Sequence, residues 1–171
     1  MSQRNYFPNQ LWLVFNVSAG IIIVGILVLM GINFKGEFRM EKSILVVDDS
    51  DFMHKMYKLT LSKSVKNKYK TIHAYDGKAA LELVQTKNEI DAVFLDINMP
   101  LISGIDFLKI VKTSVPHFTS PIIVITTEKS ENDISLAKDL GAKSYITKPF
   151  IFTDLLTELD RVIAEFPRKS A

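Results

Sequence analysis

Two kinds of apolar pattern divide the chain. Residues 11–32 (LWLVFNVSAGIIIVGILVLMGI) run without one charge, whereas from Ser43 onward short apolar runs alternate with longer stretches of 3.6-residue period. The short runs, at 44–47, 71–74, 92–95, 122–125 and 145–147, predict strands. The longer stretches, at 51–64, 77–87, 104–113, 131–140 and 151–166, predict helices. In the last of these Leu155, Leu156, Leu159, Val162, Ile163 and Phe166 form one stripe, with Asp154, Glu158, Asp160 and Arg161 off it. Ser130 and Asp133 predict a capping box at the start of the fourth helix. Strands that read as apolar runs, each followed by a helix, imply a parallel sheet covered on both faces. Right-handed crossovers then give an α/β, doubly wound, five-stranded domain over residues 42–166, with a short tail at 167–171.

The uncharged run supports two readings of residues 1–39. As a helix, 22 residues span about 33 Å, enough for a bilayer core of about 30 Å. Lys35, Arg39 and Lys42 follow it, which places the C-terminal part in the cytoplasm on a single-pass inner-membrane anchor. In the other reading Met40 starts the protein, and Lys35-Gly36-Glu37 falls where the gene can carry a ribosome-binding sequence. The product is then a cytoplasmic domain without the 11–32 segment.

Composition narrows the chemistry. With 47% hydrophobic and 23% charged residues among 171, the chain is neither disordered nor collagen-like. The absence of cysteine excludes disulfides, thiolate metal sites and thiol nucleophiles. A net charge of +2 offers no electrostatic case for nucleic acid. The histidines stand far apart in sequence, at 54, 73 and 117, without the i, i+4 spacing of a metal helix. Five lysines at 58, 63, 66, 68 and 70 read as a solvated helix end or as a docking patch.

In a doubly wound sheet the ligand site lies at the carboxyl ends of the strands. There the sequence places Asp48-Asp49 after the first strand, Asp96 after the third, Thr126-Thr127 after the fourth and Lys148-Pro149 after the fifth. Carboxylates brought together repel one another, and a hard divalent cation such as Mg²⁺ relieves that repulsion with oxygen ligands. A metal and a lysine together neutralise an incoming phosphoryl group, so that an aspartate can act as its nucleophile.

The motifs VVDDS at 46–50, LDINMP at 95–100, VITTE at 124–128 and SYITKPF at 144–150 resemble the receiver domain of bacterial response regulators, in particular single-domain chemotaxis-type regulators. The resemblance covers 42–166 and implies the flavodoxin-like receiver fold. It implies that Asp96 accepts a phosphoryl group from a phosphohistidine on a sensor histidine kinase or a histidine phosphotransfer protein. Asp49 and Asp96 would bind Mg²⁺ directly, Asn98 through its backbone carbonyl and Asp48 through water. Lys148 would pair with the phosphate, and Thr126 would move to hydrogen-bond it. Tyr145 would then leave an exposed position and turn inward, altering the face formed by the fourth helix, fifth strand and fifth helix, where an output protein binds. The domain would be a phosphoacceptor catalysing only its own phosphorylation and dephosphorylation, not an enzyme acting on a separate substrate.

One departure stands out. Many receivers carry Asp-Gly where this chain has Ser103-Gly104, and Gly104 is expected to supply the unusual backbone angles of a tight turn. With only 167–171 following the last helix, output is expected from contacts of the receiver itself. Chemotaxis-type signalling, a relay to a histidine phosphotransfer protein and a phosphate-independent membrane-tethered scaffold remain as alternatives. A Mg²⁺-dependent phosphohydrolase is disfavoured because Asn98, not aspartate, stands two residues beyond Asp96.

Overall fold

The computed structural model describes residues 41–167 apart from 88 and 129. Five strands, β1 (Lys42–Val47), β2 (Tyr69–Ala74), β3 (Ala92–Leu95), β4 (Ile122–Thr126) and β5 (Ser144–Thr147), alternate with five helices. The helices are α1 (Asp51–Ser62), α2 (Gly77–Thr86), α3 (Gly104–Ser114), α4 (Glu131–Asp139) and α5 (Phe152–Glu165). The sheet is wholly parallel, in the order β2-β1-β3-β4-β5. All ten elements match those expected from the sequence, with ends shifted by at most two residues. The 11–32 segment lies outside the described residues. Among the described residues no helix is long and apolar enough to cross a membrane.

Alternation within each buried strand builds two cores. Leu45, Val47, Val93, Leu95 and Val124 face α2, α3 and α4, whereas Ile44, Val46, Phe94, Ile123 and Ile125 face α1 and α5. The α5 stripe buries Leu155, Leu159, Val162 and Ile163 against the second core, and Leu156 and Phe166 pack at its margin. At about 25 cal/mol per Å² of apolar surface, each fully buried leucine or isoleucine stabilises the fold by roughly 1.5–3 kcal/mol.

The helix starts depart from expectation at one place. Ser130 occupies the N-cap position of α4, but its side chain makes no cap hydrogen bond. Its carbonyl accepts from the Ile134 N–H instead, and Glu131 and Asp133 supply the negative charge that the helix N-terminus favours. A serine that caps through its side chain, with an aspartate three residues on, lies instead at α3. Ser103 Oγ accepts from the Asp106 N–H (3.1 Å) and donates to the Asp106 carboxylate (2.8 Å). Ser50 and Asp76 cap α1 and α2 through their side chains. Because α4 has Ala137 as its one fully buried residue, it is the helix least held by packing.

Candidate functional site

The carboxyl ends of the strands converge because the parallel ladder runs past them into the loops. The Asp48 N–H donates to the Ala74 carbonyl (3.2 Å), the Asp96 N–H to the Val47 carbonyl (2.9 Å) and the Lys148 N–H to the Thr126 carbonyl (2.7 Å). These bonds hold the residues just beyond the strands almost as firmly as the strands themselves. Carboxylate oxygens of Asp48, Asp49 and Asp96 all lie within 4.8 Å of one another, with Asp48 and Asp96 buried and Asp49 exposed. This is the switch point of the sheet, where β1 has β2 on one side and β3 on the other.

Lys148 reaches across the cluster. Its Nζ donates to Asp48 Oδ2 at 2.8 Å and to Asp96 Oδ2 at 2.9 Å. Burial works against its charge, but the hydrogen bonds to Asp48 and Asp96 and their negative charges outweigh it, and its pKa lies above the ordinary lysine value. The other carboxylate oxygens accept from the main chain: Asp48 Oδ1 from the Ser50 N–H (3.0 Å) and Asp96 Oδ1 from the Asn98 N–H (3.3 Å). One ammonium against three carboxylates leaves two negative charges, held on oxygen donors. That donor set fits a hard divalent cation such as Mg²⁺ and offers no nitrogen or sulfur to a softer one.

On the β4 side, Thr126 is fully buried and its Oγ1 accepts from the Glu128 N–H (3.3 Å) and Asn98 Nδ2 (3.4 Å). Asn98 Nδ2 also donates to Thr127 Oγ1 (3.3 Å), which ties the loop after β3 to the loop after β4. Tyr145 sits on β5 facing the first core, while Lys148 turns to the carboxylates. Tyr145 does not start from an exposed position. It is half-buried, packs against the first core, and its hydroxyl donates to the Glu128 carbonyl at 3.1 Å. Burial, together with the charges of Asp133, Glu128 and Asp96, raises its pKa above the ordinary tyrosine value.

The response regulator receiver domain family matches residues 44–160. The chain belongs to this family. It is 31% identical over 120 residues to the chemotaxis protein CheY homolog of Campylobacter jejuni, covering 70% of this chain and 91% of that protein. It is 36% identical over 111 residues to the alkaline phosphatase synthesis transcriptional regulatory protein PhoP of Bacillus subtilis, covering 65% of this chain but 44% of that regulator. Among solved structures, Vibrio cholerae chemotaxis protein CheY4 superposes with a TM-score of 0.62 at 33% identity, covering 72% of this chain and 99% of that one. The domain is thus a CheY-like receiver of the two-component type. Receivers of this family bind Mg²⁺ through acidic residues and interact with histidine kinases and output proteins.

Gly104 serves the receiver in a way that its sequence context did not indicate. It has no left-handed backbone; among the described non-glycine residues that conformation belongs to Leu101, at φ 69°. What Gly104 allows is close approach. A Cβ there would stand 2.3 Å from the Asp96 carbonyl oxygen and 2.8 Å from Ile97 Cα. The start of α3 therefore rests directly on the backbone that carries Asp96, and the Gly104 N–H donates to the Ile97 carbonyl (3.0 Å).

Two further residues support the pocket, Ser50 at the end of the first motif and His54 outside the motifs. The Ser50 N–H orients Asp48, and His54 Nε2 lies 2.7 Å from the Asp48 main-chain carbonyl. His54 and His73, read as separate from their spacing, are neighbours, with their Nδ1 atoms 2.7 Å apart. The sheet order explains this, since β2 pairs with β1 directly below α1. A signal was present in the sequence, for His54 shares a buried stripe with Tyr57 and Leu61, and a buried imidazole needs partners. The lysines at 58, 63, 66, 68 and 70 are exposed. Lys66 pairs with the half-buried Asp160 and Lys70 with the exposed Glu89, each at 3.9 Å, and at that distance with exposed lysines such pairs contribute little.

Proposed function

We propose that this receiver is a Mg²⁺-dependent phosphoacceptor whose nucleophile is Asp96. The observation that supports it is the juxtaposition of a buried Asp96 carboxylate with Lys148 Nζ at 2.9 Å and two further carboxylates at the open end of the sheet. A carboxylate oxygen of Asp96 attacks the phosphorus of a phosphohistidine. A P–O bond forms, the P–N bond breaks, and the imidazole of the donor takes up a proton as it leaves. Asp48, Asp49, Asp96 and the Asn98 carbonyl would hold the metal, which when bound neutralises charge on the phosphoryl oxygens. Lys148 offers the second positive charge and can exchange its bond to Asp96 for one to the phosphoryl group. Thr126 supplies a buried hydroxyl at the same opening. The reaction changes the protein itself and turns over no separate substrate, apart from the hydrolysis that resets it.

Donor docking has a ready surface beside Lys148. Phe52, Met53, Met56, Phe150 and Phe152 line an open cleft of about 370 Å³ that suits the apolar face of a helix presenting the phosphohistidine. For output, the reading is a chemotaxis-type protein contact on the α4, β5 and α5 face. Thr126 turning toward the phosphoryl group would free the loop at Glu128, whose carbonyl holds the Tyr145 hydroxyl.

Acetyl phosphate with Mg²⁺ should place one hydroxylamine-sensitive acyl phosphate on the chain, and Asp96→Asn should abolish it. Phosphate found on serine or threonine would refute the mechanism. With beryllofluoride as phosphoryl mimic, amide shifts should reach Tyr145 and α4 and weaken in Thr126→Ala. Shifts confined to the Asp96 pocket would refute the proposed switch.

A further inference from the structure

Asp48 directly follows β1, and its main-chain carbonyl lies beyond the last rung of the sheet. Its N–H bonds the Ala74 carbonyl on one side, and on the other the final rung is the Asp96 N–H to the Val47 carbonyl. With Asp48 only 1% exposed, its carbonyl would be a buried acceptor lacking a strand partner. His54, 3% exposed, fills that role from the second turn of α1 with Nε2 at 2.7 Å.

A carbonyl only accepts, so Nε2 of His54 must carry its proton. In the neutral ring Nδ1 then holds the lone pair, and it faces His73 Nδ1 at 2.7 Å. His73 therefore donates from Nδ1, and the hydrogen bonds run in one direction from His73 through His54 to Asp48. Tyr75 lies against the His54 ring, with centroids 4.2 Å apart, and limits its tilt. Three atoms of Asp48 are thereby fixed: the carbonyl by His54, Oδ1 by the Ser50 N–H and Oδ2 by Lys148.

We infer that His54, oriented by His73, is a positioning residue for the acidic pocket, setting the Asp48–Asp49 backbone so that both carboxylates meet Asp96. The inference rests on the phosphoacceptor reading above. It acts on the apparent affinity for Mg²⁺ and not on the reacting atoms. Partners one step removed from a metal typically change its affinity by about 10–100-fold, and an effect near tenfold is expected here because His54 orients the backbone and not a ligand atom.

The test uses the full chain. In the wild type, nitrogen NMR of the imidazoles should show His54 protonated at Nε2 with a slowly exchanging proton, and unprotonated at Nδ1. The opposite tautomer would overturn the inference. By calorimetry with Mg²⁺ alone, His54→Leu should bind about tenfold more weakly, while His54→Gln, which can place an amide N–H near the same carbonyl, should recover most of the loss. With acetyl phosphate, the rate deficit of His54→Leu should close at saturating Mg²⁺. Unchanged binding in His54→Leu, no recovery in His54→Gln or a deficit that saturation does not close would each overturn it. If His54→Leu does not fold, the wild-type tautomer and near-normal binding by His54→Gln decide the matter. A wild-type chain that binds no Mg²⁺ refutes the phosphoacceptor reading itself, whereas a wrong pattern among the variants refutes only the role of His54.

Discussion

Gly104→Ala separates two explanations of one glycine. If backbone angles alone decided which residue fits here, alanine would be tolerated, since Gly104 opens α3 without left-handed backbone. Alanine would even stabilise that position by up to about 1 kcal/mol through helix propensity. The structure predicts the reverse. The new Cβ would meet the Asp96 carbonyl oxygen at 2.3 Å, so about 1 Å of separation must open before ordinary contact is reached. Its nearest neighbours are backbone atoms of Asp96 and Ile97, and no rotamer change can relieve the clash. Overpacking of this kind costs about 1–3 kcal/mol. Set against the propensity gain, a net loss of up to about 2 kcal/mol remains, which lowers the urea midpoint by up to roughly 1 M. The strain also falls on the residue that carries the nucleophile. Displacement by a fraction of an ångström should slow phosphorylation by acetyl phosphate roughly tenfold or more. Urea unfolding followed by circular dichroism and the initial phosphorylation rate are the two assays. A Gly104→Ala protein as stable as the wild type, with an unchanged rate, would refute the close-approach argument.

Asp49→Asn should raise the melting temperature without Mg²⁺, because one of three clustered, mutually repelling carboxylates is neutralised. The same change should remove the further rise that Mg²⁺ gives the wild type, and a metal-free melting temperature below wild type would contradict the repulsion argument. Stability should also fall in alkali. The Lys148 pKa is raised by its carboxylate partners, so its contribution is complete below the unfolded value of 10.5 and is lost as pH rises through the folded value. Burial raises the pKa of Tyr57 above 10.0, so the folded chain keeps that proton after the unfolded chain releases it, and the effect has the same sign. Urea titrations from pH 8 to 12 should show a level region and then a decline approaching about 1.4 kcal/mol per pH unit for each proton retained, shallower in Tyr57→Phe. A constant stability across that range would show that these groups are not perturbed as described.

Much of this receiver could be read from the order of its residues. Short apolar runs and 3.6-residue periodicity are local properties, and they located all five strands and five helices. The chemistry at the strand ends was legible for a related reason. In a parallel sheet each strand ends on the same side, so residues at the ends of separate apolar runs must meet, as Asp48, Asp96 and Lys148 do, with Thr126 joined to the loop after β3 through Asn98. Tertiary structure decided what depends on distance between residues remote in sequence. It brought His73 of β2 against His54 of α1, set the start of α3 on the Asp96 carbonyl so that only glycine fits, and engaged Tyr145 with the Glu128 carbonyl. It also left Ser130 without its side-chain cap while giving Ser103 one, since each hydroxyl bonds whichever group the packed backbone brings within reach. Pattern along a chain specifies which face a side chain takes, but contact distances of a few ångströms arise only once every element is packed against the others.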